Sequence, residues 1–336
     1  MDILNAFVLL ANFVLIPGIT YGCQLALGAL GVTLIYGILR FSNFAHGETM
    51  AFGTMVVILA TWLFQGWGVS LGPVPTALLA LPIGIAAAIG LLLATDKLVY
   101  KFYRKQKSTP VIYLIASLGV MFFYNGLIRF VIGPDDQIFT DGDRFIFTAR
   151  EFREFTGLAE SMSLKMTQGI TVVVTVICVA VLFWFLTKTR TGKSMRAYSD
   201  NEDLALLSGI NPDRVVMIAW MLTAVLATIA GTLYGLDKSF KPFTYLQILL
   251  PIFAAAIVGG LGSPIGAIAG GFIIALSEVF VTFAYKRFLG YILPESMEPE
   301  GLVQLLSTDY KFAVSFAILV IVLLVRPTGI FRGQTI

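Results

Sequence analysis

Residues 168–187 read QGITVVVTVICVAVLFWFLT, twenty residues without a charge. As a helix rising about 1.5 Å per residue, this stretch is roughly 30 Å long, the thickness of a bilayer's hydrocarbon core. Eight further apolar runs lie to either side, at 19–39, 49–64, 74–94, 111–132, 215–236, 246–258, 265–288 and 310–325. Several fall short of the ~20 residues that a straight crossing needs, so broken or re-entrant helices are expected. A shorter stretch, 5–16, is set apart by Pro17-Gly18 and is expected to form an interfacial or half-buried helix. The longest loops have about 36 residues (133–168) and about 26 (188–213), too few for a soluble domain. The chain therefore reads as an all-α integral membrane protein. It is expected to be one transmembrane domain over residues 1–336, with about nine helices and bounds of eight and ten.

Composition excludes the alternatives. Apolar types make up 57% of the 336 residues and charged types 13%, against about 25% charged in a soluble domain. Mean hydropathy is +0.87. A soluble enzyme, a disordered tail and a coiled coil do not fit. The net charge of +3 is too small to point to nucleic acid. Cys23 and Cys178 sit in apolar stretches without a CxxC spacing and read as buried small hydrophobes. His46 is the only histidine, which leaves neither a His-based metal site nor a two-histidine proton relay. The first basic residue is Arg40, so the opening apolar stretch lacks the leader of a secretory signal and is expected to be retained.

Basic residues near span ends mark the cytoplasmic side. Segment 96–107 carries Lys97, Lys101, Arg104, Lys105 and Lys107 against Asp96; segment 188–214 carries Lys188, Arg190, Lys193, Arg196 and Arg214; the tail carries Arg326 and Arg332. Segment 133–168 carries seven acids and four bases and belongs outside. Nine spans then put the N-terminus outside and the C-terminus in the cytoplasm.

Two routes to energy conversion are weak. Residues 191–194, TGKS, look like the end of a phosphate-binding loop, but Thr187 stands where its leading glycine belongs and an apolar helix precedes it. Ion coupling usually needs acids within spans. Glu278 alone lies well inside one, about 13 residues or roughly 20 Å from its start, while Glu48 and Arg129 lie near span ends. An intramembrane acid is a functional candidate; the competing reading is a structural acid bonded to a neighbouring helix or to a water-filled cavity.

The loop 188–213 carries a short amphipathic helix. Asp200 can cap it, with Asp203 three residues on, and Leu204, Leu207 and Ile210 share a face. Gly209 fits a left-handed stop and Pro212 prevents continuation. So small a helix must dock, either on its own membrane domain or on a separate soluble protein; the residues alone leave both open.

Two breaks interrupt the spans. Residues 41–48 form a polar, glycine-containing turn, which at membrane depth requires cover from protein or a water cavity. Glu48 there is placed for a helix dipole, so His46 and Glu48 read either as end caps or as parts of an inner gate. Residues 259–264, GGLGSP, form the second break, after which Gly262, Gly266 and Gly270 recur at the four-residue spacing of close helix contacts.

These stretches together resemble the permease subunits of branched-chain amino acid ABC importers, of the LivH type. The loop matches a coupling loop at Arg196-Ala197, Asp200, Ala205 and Gly209-Ile210. Four other stretches match in the same order: Tyr36-Gly37-Ile38 with Asn43-Phe44-Ala45-His46-Gly47-Glu48; residues 255–271, AAIVGGLGSPIGAIAGG; Glu278; and Arg326-Pro327-Thr328-Gly329-Ile330. Loops 133–168 and 290–304 look longer than usual, which touches substrate and binding-protein preference rather than mechanism. The resemblance implies a bacterial inner-membrane subunit that is not an enzyme and binds no cofactor, with ATP and magnesium held by partner subunits. It implies as partners a second related permease, two ABC ATPases and a soluble substrate-binding protein, with membrane lipid around the chain and no nucleic acid. It assigns ATPase coupling to Arg196, Ala197, Asp200, Ala205, Gly209 and Ile210. It assigns the pathway or gate to Asn43, His46, Gly47, Glu48, Gly260, Gly262, Ser263 and Glu278. Alternatives are an ABC permease for short amides or urea, an ATP-independent channel for small neutral solutes and, less well supported, an ion-coupled transporter.

Overall fold

The computed structural model describes residues 2–294, 301 and 303–331. Arg332 and residues 295–300 of the 290–304 loop lie outside them. Among the described residues nine helices are long and apolar enough to cross a membrane: α1 Asp2–Leu39, α2 His46–Gly66, α3 Ala77–Lys105, α4 Pro110–Ile132, α5 Met166–Lys188, α6 Pro212–Lys238, α7 Pro242–Gly259, α8 Pro264–Thr282 and α9 Thr308–Val325. They fall on the nine apolar runs of the sequence.

The boundary expected at Pro17-Gly18 is absent. Residues 5–16 belong to α1, which runs for 38 residues, about 57 Å along its axis. A proline inside a helix lacks a donor and clashes with a carbonyl four residues back. Here a π turn at Ala11–Leu15 precedes it, with the Ile16 N–H donating to the Ala11 carbonyl. The wider turn absorbs the proline without ending the helix. α8 also departs from expectation, stopping at Thr282 instead of continuing to 288. Phe283 turns extended, and a separate short helix follows at Lys286–Ile292.

The bundle is built around α1. From Thr20 to Ile38 almost every residue of α1 is buried, packed chiefly against α8 and α6. α2, α6 and α7 complete the interior, whereas α5 and α9 keep most of their surface outward, as lipid-facing helices do. Small residues set the α1–α8 distance: a Cβ on Gly271 would lie 2.7 Å from the Ala26 nitrogen. Gly266 and Gly270 face the backbone of α7 at Gly259 and Ala255, so this glycine row is spent on contacts inside the chain. In segment 133–168, Phe145–Phe147 pairs antiparallel with Leu164–Lys165. Between them lies a helix, Ala149–Thr156, opened by a capping box of Thr148 and Glu151.

Candidate functional site

Residues 40–45 leave the helix because Arg40 adopts a left-handed conformation, φ 56°, while its N–H still closes on the Tyr36 carbonyl. The chain then runs through protein. Phe41 stacks on Tyr113 at 5.1 Å and lies 5.3 Å from Tyr100. Asn43 Oδ1 accepts from the Ala45 N–H and from the Tyr100 hydroxyl, both at 3.2 Å. The Phe44 N–H donates to Ser117 Oγ at 3.2 Å. Gly47 allows close approach to the Tyr245 carbonyl. Glu48 Oε1 accepts from Asn125 Nδ2 at 2.8 Å. Asn125 is the sixteenth residue of α4, roughly 22 Å from that helix's start. Glu48 is the third residue of α2 and so lies near a span end, as its sequence position indicates, and the packing of α2 against α4 buries it. His46 is fully buried beside Gly31, with the Gly28 backbone as its polar neighbour. The structure thus brings Asn43, His46, Gly47 and Glu48 together as a buried plug. None of the four lines either cavity described next.

The first cavity, about 390 Å³, lies at the end of the molecule that bears the basic loops. Its wall joins the Thr33–Ile38 part of α1, the second break at Gly262, Ser263 and Pro264, and Met195, Arg196, Ser199 and Asp200. Two sets of residues singled out separately in the sequence therefore meet here. The second break is a capped helix start: Ser263 Oγ accepts from the Gly266 N–H at 3.1 Å. Gly260 has φ 109°. The tail motif finds its place against it, since the Ile330 and Phe331 N–H groups donate to the Val258 and Gly259 carbonyls at 2.9 and 3.1 Å. The tail thereby satisfies two carbonyls that α7 would otherwise leave open at its end.

The loop 188–213 holds two helices, not one. Arg190–Asp200 is capped by Thr189, and Glu202–Leu207 is capped by Asn201, whose Oδ1 accepts from the Leu204 N–H at 3.0 Å. Asp200 does not cap; it ends the first helix. The cap falls to Asn201 because its backbone is the one that extends, φ −153° and ψ 108°. Gly209 does make the left-handed stop, at φ 79°, and the Ile210 N–H closes back on the Ala205 carbonyl at 3.0 Å. Ala205 is buried, but Leu204 and Leu207 are 61% and 85% exposed. Ala197 is exposed, and Ile210 is half-buried.

The first of these helices is fastened to the core by residues the sequence did not single out. Ser199 Oγ donates to the Gly37 carbonyl at 2.9 Å, and Arg40 Nη2 donates to the Ser199 carbonyl at 2.5 Å. Burial, and a 2.7 Å bond donated to Glu202 Oε1, push the Tyr198 hydroxyl above its ordinary pKa, so it stays a donor between the two helices. At the same end Asp96 accepts from Arg104 and from Trp220 Nε1, both at 2.9 Å, tying α3 to α6.

The second cavity, about 370 Å³, lies at the opposite end and is lined by Pro17, Tyr21, Tyr234, Asp237, Glu278, Lys311 and their neighbours. Glu278 is 1% exposed, and its Oε1 accepts from Ser315 Oγ on α9. Lys311 was not found from sequence: a lysine opening a span reads as an ordinary interfacial anchor.

The sequence matches the family model described as "Branched-chain amino acid transport system / permease component" over residues 14–323. It is 32% identical over 320 residues to the high-affinity branched-chain amino acid transport system permease protein LivH of Salmonella typhimurium, covering 93% of this chain and 92% of that one. It is 26% identical to the corresponding permease protein BraD of Pseudomonas aeruginosa, with 94% of each chain covered. A more distant relative is the autoinducer 2 import system permease protein LsrC of Escherichia coli, 26% identical over 76% of this chain and 68% of that one. No solved structure matches.

Proposed function

This chain belongs to the family of branched-chain amino acid transport permeases, and we propose that it forms one half of a two-permease pathway that carries a branched-chain or other neutral amino acid into the cell. It is the membrane-spanning, non-enzymatic subunit of an ABC importer. The observation that carries the proposal is the junction of loop and core. The two cytoplasmic helices of 190–207 are stapled through Ser199 to the end of α1, at 2.9 Å, and share a cavity with the start of α8.

The mechanism follows from that junction. One ATPase subunit docks on this loop, where Leu204 and Leu207 offer an apolar face, and a second docks on the partner permease. Their closure on ATP and magnesium, which they and not this chain hold, moves the two loop helices as a body. Arg196, Ala197, Asp200, Ala205, Gly209 and Ile210 shape and support that body. Ser199 and Arg40 pass the motion to α1, and the Gly260–Ser263 break lets α8 swing relative to α7. The 41–48 plug, with Asn43, His46, Gly47 and Glu48, gives the inner half of α2 a rigid seat. A binding protein delivers the amino acid to the end that carries Glu278. Alternating access then arises from rigid bodies biased by ATP binding. In this orientation the basic loops and the C-terminus are cytoplasmic and the N-terminus faces outward in the bacterial inner membrane.

A second reading, the same machine serving a different small polar solute such as a short amide or urea, is favoured by the relationship to a permease named for autoinducer 2 import. The ligand of the cognate binding protein separates the two. The first test is purification of the tagged chain from its own host in mild detergent, read by mass spectrometry. Two P-loop ATPases and a second multi-span protein are expected. Recovery of the chain alone, under conditions that preserve such complexes, overturns the proposal in favour of a facilitator.

A further inference from the structure

The outward cavity holds buried polar atoms that the rest of the fold leaves incompletely answered. Tyr21 Oη and Glu278 Oε2 lie against each other without closing a full hydrogen bond, and Asp237 Oδ1 has no hydrogen-bond partner among the described residues. Buried polar atoms are normally paired, because leaving them bare forfeits their hydration. Such groups around one opening mark a place where a polar solute is received. Ser315 holds one oxygen of the Glu278 carboxylate, so the other is fixed in orientation.

The charges around this cavity say which solute. Acids and bases are equal in number: Asp136, Asp237 and Glu278 against Lys238, Lys241 and Lys311. Two of the bases are answered, Lys238 by Asp237 at 3.5 Å and Lys241 by Asp136 at 3.7 Å. Lys311 makes no ion pair among the described residues. Its ammonium lies 4.8 Å from the centroid of the Phe312 ring and 5.7 Å from that of Tyr21. What remains is one carboxylate and one ammonium on the same wall, which attract each other through space without reaching ion-pair distance. A lone cation is drawn to Glu278 but opposed by Lys311, and a lone anion meets the reverse. A solute that carries both charges is opposed by neither. The volume of about 370 Å³ lies within the roughly 300–1,000 Å³ of small-molecule sites. Pro17 and Val279 supply an apolar part of the lining for a greasy side chain.

We propose that Glu278 and Lys311 form a receiving site for the zwitterionic head of a neutral amino acid as it leaves the binding protein. Lys311 donates to the α-carboxylate, Glu278 Oε2 accepts from the α-ammonium, and the Tyr21 hydroxyl bonds to whichever end lies beside it. The inference rests on the importer reading above and goes beyond it by assigning a substrate contact to this chain.

The test uses the whole importer in proteoliposomes with its binding protein and leucine as probe. Leucine uptake and ATP hydrolysis stimulated by the loaded binding protein are measured side by side. Lys311→Met and Glu278→Gln are each expected to lower uptake roughly ten-fold, while stimulated hydrolysis stays within about two-fold of wild type. Tyr21→Phe, which removes only a hydroxyl, is expected to lower uptake by a smaller factor, about three-fold, with stimulated hydrolysis within about two-fold of wild type. Uptake within about two-fold of wild type in both charge variants overturns the site. Hydrolysis that falls in step with uptake also overturns it, because that is what damage to the fold produces. If Glu278→Gln does not assemble, Lys311→Met decides alone, since its ammonium is bonded to no acid among the described residues. A wild-type importer that takes up no neutral amino acid fails the importer reading itself. A wild type that imports leucine with indifferent variants fails only the site.

Discussion

In the proposed orientation the two cavities are nearly equal in size, about 370 Å³ at the outward end and about 390 Å³ at the inward end, yet their walls differ. The outward wall carries three carboxylates and three lysines, and one buried oxygen there, Asp237 Oδ1, has no partner among the described residues. The inward wall has only one charge of each sign, Arg196 and Asp200, among hydroxyls, small residues and the aliphatic side chains of Leu34, Ile38, Leu186 and Met195. One end is chemically suited to hold a polar solute, and the other is mechanically suited to move with a loop. Both share α1 and α8 as a wall, and Gly271 against Ala26 is one of the close contacts that join those helices. A lever with a ligand at one end and an actuator at the other needs such a stiff middle.

That contrast can be broken from the inward side first. Deletion of residues 204–210 is expected to reduce uptake to background while the chain still inserts and leaves the outward cavity intact. Whole-cell uptake together with a membrane-fraction immunoblot checks this. Uptake that survived would detach the loop from energy coupling and leave the inward cavity without an actuator. Next comes the shared wall. Gly271→Leu forces a side chain into the Ala26 backbone and is expected to cost about 3 kcal/mol or more, the upper end of core overpacking. It should lower the thermal midpoint of the purified complex and impair both ends at once, whereas the first change impairs only one.

Asn201→Ala is a finer probe. It removes the cap of the Glu202–Leu207 helix, worth about 1 kcal/mol. It should loosen that helix, visible as faster amide exchange over 202–207 with no change around Glu278. Smallest of all is a control outside the membrane. Asp141 accepts from the Thr76 N–H at 2.7 Å and from Gln65 at 3.0 Å. Partial burial opposes ionisation, but these bonds outweigh it and hold the carboxyl below its ordinary 3.8. Its stabilising contribution is therefore full above the unfolded value and is lost as pH falls through the lower folded one. Thermal midpoints between pH 5 and pH 3 should fall slightly less in Asp141→Asn than in wild type, with neither cavity affected at neutral pH.

The sequence announced the nine spans because length and apolarity are enough to define a crossing. It announced the stop at Gly209 because a left-handed residue before a proline-led helix has few other uses. It misjudged what depends on three-dimensional company. Pro17 reads as a break unless the π turn ahead of it is known, and nothing in 11–15, ANFVL, declares one. Glu48 reads as terminal and is so, but its burial beside Asn125 is set by another helix. The choice of cap between Asp200 and Asn201 turns on which backbone extends, and both side chains are competent. Lys311 is hidden for a different reason: its residue type is ordinary at a span end, and only its place in one cavity wall with Glu278 makes it exceptional. The motif at 326–330 was visible as a pattern, while its work, closing the carbonyls of Val258 and Gly259, was not.

Leu207, 85% exposed on a loop that faces water, has a consequence for the life of the protein before it is assembled. A copy without its docking partner displays a greasy knob where chaperones and proteases patrol. On the proposed importer reading, Leu204 and Leu207 would complete an interface and also tag the orphan for removal. Cellular levels of this chain should then track those of its docking partner, with surplus copies degraded, so that subunit balance is enforced after translation by the shape of one short helix.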